Sequence, residues 1–173
     1  AEIKLFQPPR KEDYNKDNLP WRVIQEISGG GYFYDLACHQ IDLLEFILGP
    51  VSIVSGYSRN IGGLYETEDT VTAEFEFISG AMASGNWCFV SEIENQIDEM
   101  TIIGSKGSVS FSCFNFTPVK LKIGGAVKRF NFKKPAHIQQ PYIQSIVEEL
   151  TGKGKCPGDV VSAARTNLIM ELI

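Results

Sequence analysis

Histidine is scarce in this chain: His39 and His137 are the only two among 173 residues. A catalytic zinc usually takes three protein ligands drawn largely from histidine, so metal-dependent hydrolysis starts short of donors. Cysteine is thin as well. Cys38, Cys88, Cys113 and Cys156 are widely spaced with no C-x2-C pair, which argues against a structural zinc and against a secreted disulfide framework. A reducing cytoplasm is the compartment this fits, and no signal peptide is visible. Long hydrophobic runs are missing: stretches such as Val51 to Val54 fall far short of a bilayer span. Positive charge is not in excess. The formal net charge is −5, so no global field favours nucleic acid or anionic lipid. Lys120, Lys122, Lys128, Arg129, Lys133 and Lys134 do gather near Gly124-Gly125. They read as the solvated face of a hairpin or a charged edge strand, with phosphate contact as the other reading.

Several chemical signatures are absent too. No GxGxxG follows a strand, no GxxxxGK[ST] phosphate loop exists, and neither GxSxG nor HExxH occurs. The chain therefore lacks nucleotide-binding machinery of its own. It has no initiating methionine, opens as a strand entered midway and stops inside an apolar helical pattern. The expectation is one domain, residues 1–173, cut from a longer protein.

What is present is ordinary globular composition, 43% hydrophobic and 21% charged, long enough for a substantial core. Ile3 to Phe6 alternate like a strand and stop at Pro8-Pro9. Arg10 to Ile27 reads as a long, polar, turn-rich connection of the functional or mobile kind. A helix is predicted from Gly31 to Leu48, with Leu36, Leu43 and Ile47 beside Leu44 and Leu48 as its apolar stripe, ended by Gly49 and Pro50. Thr70 to Ile78 then alternates with Val71, Ala73, Phe75 and Phe77 on one face and Thr72, Glu74 and Glu76 on the other. It turns at Ser79-Gly80 into Ala81 to Phe89. Further short strands flank Gly104 to Gly107 and Gly124-Gly125. Helices return at Gln140 to Leu150, with Ile143, Ile146, Val147 and Leu150 on one side, and near Asp159, an N-cap. One strand, one helix, about seven strands and then helices imply an α+β fold: a largely antiparallel open sheet with helices on one face.

The stretch from Ser28 to Gly49 carries the chemistry. Gly29, Gly30 and Gly31 lead into the helix, and backbone without side chains lets another surface approach its amino end. Asp35 and His39 follow, four residues apart, which is about 400° of rotation and roughly 6 Å of rise, so they share a face. Such a pair either hydrogen-bonds for stability or forms part of an active site. Its place at the positive end of the helix dipole and the polar run Gln40 to Asp42 after it favour the site.

The run GGGYFYDLACHQIDLL, Gly29 to Leu44, resembles the signature GGG-x3-D-x3-H-x-I-D of the Gfo/Idh/MocA oxidoreductases. Leu19 to Arg22, Glu68 to Ala73, Phe77 to Ala81, Ile103 to Ser108 and Ile143 to Gly152 resemble other stretches of that family in the same order. The resemblance implies the C-terminal substrate-binding and dimerisation domain of a protein whose N-terminal Rossmann domain, binding NAD or NADP, lies outside this sequence. It also implies that Asp35 and His39 match the family's site residues, and that a catalytic lysine belongs to the other domain.

A histidine titrating near neutrality suits general acid–base work on a secondary alcohol of a sugar or polyol. His39 is the candidate proton acceptor and Asp35 the candidate orienting group. Arg22 beside Trp21 is either turned to cofactor or substrate or paired with an acid in the connection. Gly30 and Gly31 are candidate cofactor contacts. Trp87 with Asn86 is either a wall for a sugar ring or a sheet-core residue. His137 is either a surface residue or part of the pocket lining. Asp42 reads as a helix-surface residue and Cys38 as a buried thiol. An exposed flat sheet face of Val, Phe and Ala would be costly in water, which predicts a homodimer or higher oligomer. The isolated chain is expected to be inactive. Two other readings stand beside this one: a non-catalytic ligand-binding or assembly module of the same fold, and hydrolysis at a metal held by Asp35, His39 and His137.

Overall fold

Alternation along Thr70–Phe77 decides which side of the sheet is covered. Val71, Ala73, Phe75 and Phe77 are buried, and Thr72, Glu74 and Glu76 between them are exposed. In the computed structural model, which describes residues 1–173, eight strands form one sheet: β1 (Glu2–Phe6), β2 (Val51–Arg59), β3 (Thr70–Phe77), β4 (Met82–Cys88), β5 (Ile97–Gly104), β6 (Gly107–Phe111), β7 (Val119–Ile123) and β8 (Ala126–Phe130). Four helices accompany them: α1 (Gln25–Ser28), α2 (Gly31–Leu48), α3 (Gln140–Leu150) and α4 (Val160–Glu171). The strand order is β2-β3-β4-β1-β5-β6-β7-β8. All neighbours are antiparallel except β1 and β4, which run parallel with Leu5 opposite Trp87. The seven strands after α2 and the α+β layering match the reading of the sequence. The insertion of β1 between β4 and β5 is new.

The apolar face is not bare. Val71, Ala73, Phe75 and Phe77 belong to one core with Phe33, Ala37, Ile41 and Leu44 of α2. The premise of an exposed apolar sheet face is thereby corrected: α2 covers it. Fully burying a phenylalanine is worth about 1.5–3 kcal/mol, so this row could not stay in water. The uncovered face is mixed, with Ile53, Tyr57, Met82 and Ile103 exposed among polar residues. One row across it reads Ser55, Glu74, Ser84, Glu2, Thr101, Ser110, Lys120 and Arg129.

The buried stripe of α2 is also rotated from the predicted one. Leu36 and Leu43 are half-buried and Ile47 is 45% exposed, whereas Phe33, Ala37, Gln40, Ile41 and Leu44 face inward. Gln40 is the cause. A polar residue scores against burial, yet here it is wholly buried because its Oε1 accepts a 2.7 Å hydrogen bond from Trp87 Nε1.

The connection before α2 is packed rather than loose. Asp13, fully buried, accepts from the Arg10 backbone N–H and the Tyr32 hydroxyl, both at 2.7 Å. Burial raises the Tyr32 pKa, and the Asp13 bond adds to the shift. At the other end, Asp159 caps α4 by accepting from Val161 and Ser162 N–H at 2.9 and 2.8 Å. Ile169 and Met170 of α4 join the core. The apolar side predicted for α3 is uncovered: Ile143, Val147 and Leu150 are exposed, and this helix touches the Cys156–Gly158 segment through Ser145 and Tyr142. Lys120, Lys122, Lys128 and Arg129 lie on the exposed β7–β8 hairpin at the sheet's edge, where charge discourages further pairing. No helix is long and apolar enough to cross a membrane.

Candidate active site

The glycine run is a hinge between two helices. Gly29, at φ +81°, ends α1, its N–H donating to Gln25 O. Gly31 opens α2 at φ +69°, its N–H donating to Ser28 Oγ at 3.1 Å. A Cβ on Gly31 would lie 2.3 Å from Thr67 Oγ1, and one on Gly30 would lie 2.1 Å from the Tyr34 ring. The chain's own side chains thus occupy the space that a Cβ would take at Gly30 and Gly31, while the space beside Gly29 is open. Gly31→Ala should cost on the order of 2–4 kcal/mol, from the left-handed backbone and the Thr67 clash together. The urea midpoint of the intact protein checks this.

Asp35 sits in the second turn of α2, and the turn Trp21–Val23 delivers its partner. Arg22 Nε donates to Asp35 Oδ2 at 2.8 Å, while the guanidinium carbon lies 4.5 Å from the Trp21 ring centre. Val23, 1% exposed, anchors that turn in the core. The partly exposed ion pair adds little stability, but it fixes one carboxylate oxygen and leaves Oδ1 without a protein partner. Of the two readings of Arg22, pairing with an acid is the one observed, and the acid is the candidate site residue itself.

His39 stands one turn further on, exposed. Its ring meets Phe114 edge-to-face, with centroids 6.0 Å apart and planes at 81°. No hydrogen bond joins His39 to Asp35. Between them, the Cys38 thiol donates to Asp35 O at 3.6 Å, and burial pushes its pKa up. Cys113 is pushed to about 12, by burial first and by the Asp98 carboxylate second. Neither thiol is primed as a nucleophile.

His39 opens on a cleft of about 520 Å³ between α2, α3 and the start of α4, lined also by Asp42, Phe46, Tyr142, Ser162 and Arg165. Asp42 thus faces the cleft, half-buried, rather than open solvent. Trp87 does not wall it. At 1% exposure, bonded to Gln40 and 5.2 Å from the Phe33 ring, its indole belongs to the core. His137 is exposed ahead of α3 and lies outside the cleft lining. Asp35, His39 and His137 form no group that could share a metal ion.

Residues 2–110 match the family model described as the GFO/IDH/MocA C-terminal domain. This chain belongs to the Gfo/Idh/MocA family. It is 35% identical over 172 residues to Oxidoreductase P35 of Formosa agariphila, a match covering 99% of this chain and 52% of that protein. The chain thus spans about half the length of the curated relative. Among solved structures, the WlbA dehydrogenase of Bordetella pertussis, in complex with NADH and UDP-GlcNAcA, is similar at 25% identity and a TM-score of 0.73, over 99% of this chain and 50% of that one. A levoglucosan dehydrogenase in complex with NADH shares the fold at a TM-score of 0.83 and 17% identity, over 100% of this chain and 55% of that one.

Some residues of this Gfo/Idh/MocA domain's candidate site left no motif to read. Phe114 reaches His39 from the turn after β6. Arg165 of α4 reaches Glu45 of α2 at 3.3 Å. Glu45 did carry a signal: a carboxylate in the last turn of a helix opposes the dipole and needs a partner. It is almost wholly buried and also accepts from the Val51 N–H at 2.9 Å.

Proposed function

We propose that this domain forms the substrate side of an NAD- or NADP-dependent dehydrogenase acting on a secondary alcohol of a sugar, polyol or related small molecule. The observation that carries the reading is an exposed imidazole lining a cleft, one helical turn from a carboxylate, outside that lining, that Arg22 holds by a single oxygen. Oxidising such an alcohol removes a hydride from carbon and a proton from oxygen. His39 takes the proton in oxidation and returns it in reduction. Asp35, through its unpartnered Oδ1, accepts a hydrogen bond from a neighbouring substrate hydroxyl or from the imidazole. The nicotinamide dinucleotide is held mainly by a domain outside this sequence, since no glycine-rich phosphate loop occurs in the chain, with Gly30 and Gly31 as the contacts this domain adds. The dehydrogenases in complex with NADH among the similar structures support the reaction class. Turnover of the intact protein on a panel of sugars and polyols with either dinucleotide tests it. Failure with every secondary alcohol would count against it.

The intact protein also pairs, in this reading, through the uncovered face of the sheet, where Ile53, Tyr57, Met82 and Ile103 lie exposed beside the polar row. Along the row from β2 to β8 the acid Glu74 stands near one end and Lys120 near the other. A two-fold axis running along the strands between β1 and β5 sets β3 of one copy over β7 of its partner, so opposite charges meet. Glu74→Lys is expected to weaken the dimer in sedimentation runs, and adding Lys120→Glu to restore it. A monomeric wild-type protein at high concentration would remove this assignment.

A further inference from the structure

One carboxylate on the covered side of the sheet has no part in the chemistry above. Asp98 lies on β5, paired in register with the fully buried Leu5 and two residues before the fully buried Met100. Alternation calls for an apolar side chain there. Instead its two oxygens collect four donors from one turn: the Ser112 hydroxyl, the Cys113 N–H at 3.1 Å, the Phe114 N–H at 2.8 Å and the Asn115 side-chain amide at 3.2 Å. Ser112 Oγ in turn accepts from the Asn115 N–H at 2.8 Å. The product of this capping is the placement of one ring. Phe114 meets the His39 imidazole edge-to-face at 6.0 Å.

We infer that Asp98 is a positioning residue for His39, acting through the Ser112–Asn115 turn and the Phe114 ring. The inference rests on His39 being the proton-transfer group. His39 is exposed and has no hydrogen-bond partner in the chain, so little else restricts its χ angles. Phe114 is the aromatic surface against it. A ring pair of this geometry favours one imidazole orientation severalfold. Proton transfer tolerates little misplacement, so the cost of releasing the turn falls on kcat.

The test uses the intact protein with isotope-labelled histidine, the His39 signal being assigned by its loss in His39→Gln. The Phe114 ring current displaces that signal in the wild type. Asp98→Ala is expected to move it toward the position of an exposed imidazole and to lower kcat on the order of tenfold, with KM little changed. Phe114→Leu, a milder change to the fold, should do the same, and the double variant should be no worse than either single one. Asp98→Asn should fall between the wild type and Asp98→Ala, since its one amide oxygen, placed where Oδ2 stands, still accepts from the Phe114 N–H, Ser112 and Asn115, while the Cys113 N–H loses the Oδ1 acceptor. An unmoved His39 signal in Asp98→Ala and Phe114→Leu, or kcat losses that multiply in the double variant, would overturn the inference. The signal is read without turnover. If His39→Ala leaves activity intact, the acid–base reading fails while the placement of the ring is still decided by the spectrum.

Discussion

His39→Ala in the intact protein lowers kcat by about two to four orders of magnitude, the range that a positioned general acid–base group contributes. The loss is expected in kcat more than in KM, because in the proposed reading the imidazole acts where the hydroxyl proton departs. Asp35→Asn is gentler. It keeps the shape and one oxygen for Arg22 but removes the charge, so a loss of about tenfold to a hundredfold is expected. Both positions are solvent-accessible, so neither change empties the core, and an unaltered urea midpoint separates a chemical loss from a folding one. Steady-state turnover on the true substrate is the measurement. If both variants turn over at the wild-type rate, the chain is a binding or assembly module and the proton is handled elsewhere.

Trp87→Ala should destabilise the protein by about 3–5 kcal/mol, the usual cost of removing a large buried aromatic side chain. Three observations converge on this residue. Its indole is 1% exposed, its Nε1 donates to Gln40 Oε1 at 2.7 Å, and a Cβ on Gly85 would lie 2.1 Å from its ring. Gly85 is thus the slot that receives the indole. Removal leaves a cavity and a buried amide that loses its partner; Gln40 Nε2 already has none. Trp87→Phe keeps much of the volume and strands Gln40, for a cost of about 1–3 kcal/mol. Denaturant unfolding of the intact protein reads both. A rise in KM with stability unmoved would instead make Trp87 a wall of the substrate site.

The two histidines and two tryptophans show where sequence reasoning reached and where it stopped. Asp35 and His39 were legible because a helix converts spacing into a shared face. The same period marked α2 from Gly31 to Leu48 and placed the N-cap at Asp159. Trp87 and Trp21 carry identical side chains with opposite fates, one buried and one 50% exposed. Strand alternation with Ala83 and Gly85 puts Trp87 on the buried face of β4, whereas Trp21 stands in a turn after Pro20 with no such period. Gln40 misled the stripe of α2 because its partner is 47 residues away. Arg22 had two readings until the fold brought Asp35 to it.

The order of residues alone determined the strands, the long helices, the α+β layering and the helix that bears the candidate site, because periodicity, caps and breakers act over a few neighbouring positions. The tertiary structure decided the rest. It set β1 between β4 and β5, laid α2 over the apolar sheet face, seated Thr67 against Gly31, and carried Phe114 to His39. Those outcomes depend on volume and hydrogen-bond partners from distant segments, which become neighbours only when the core packs.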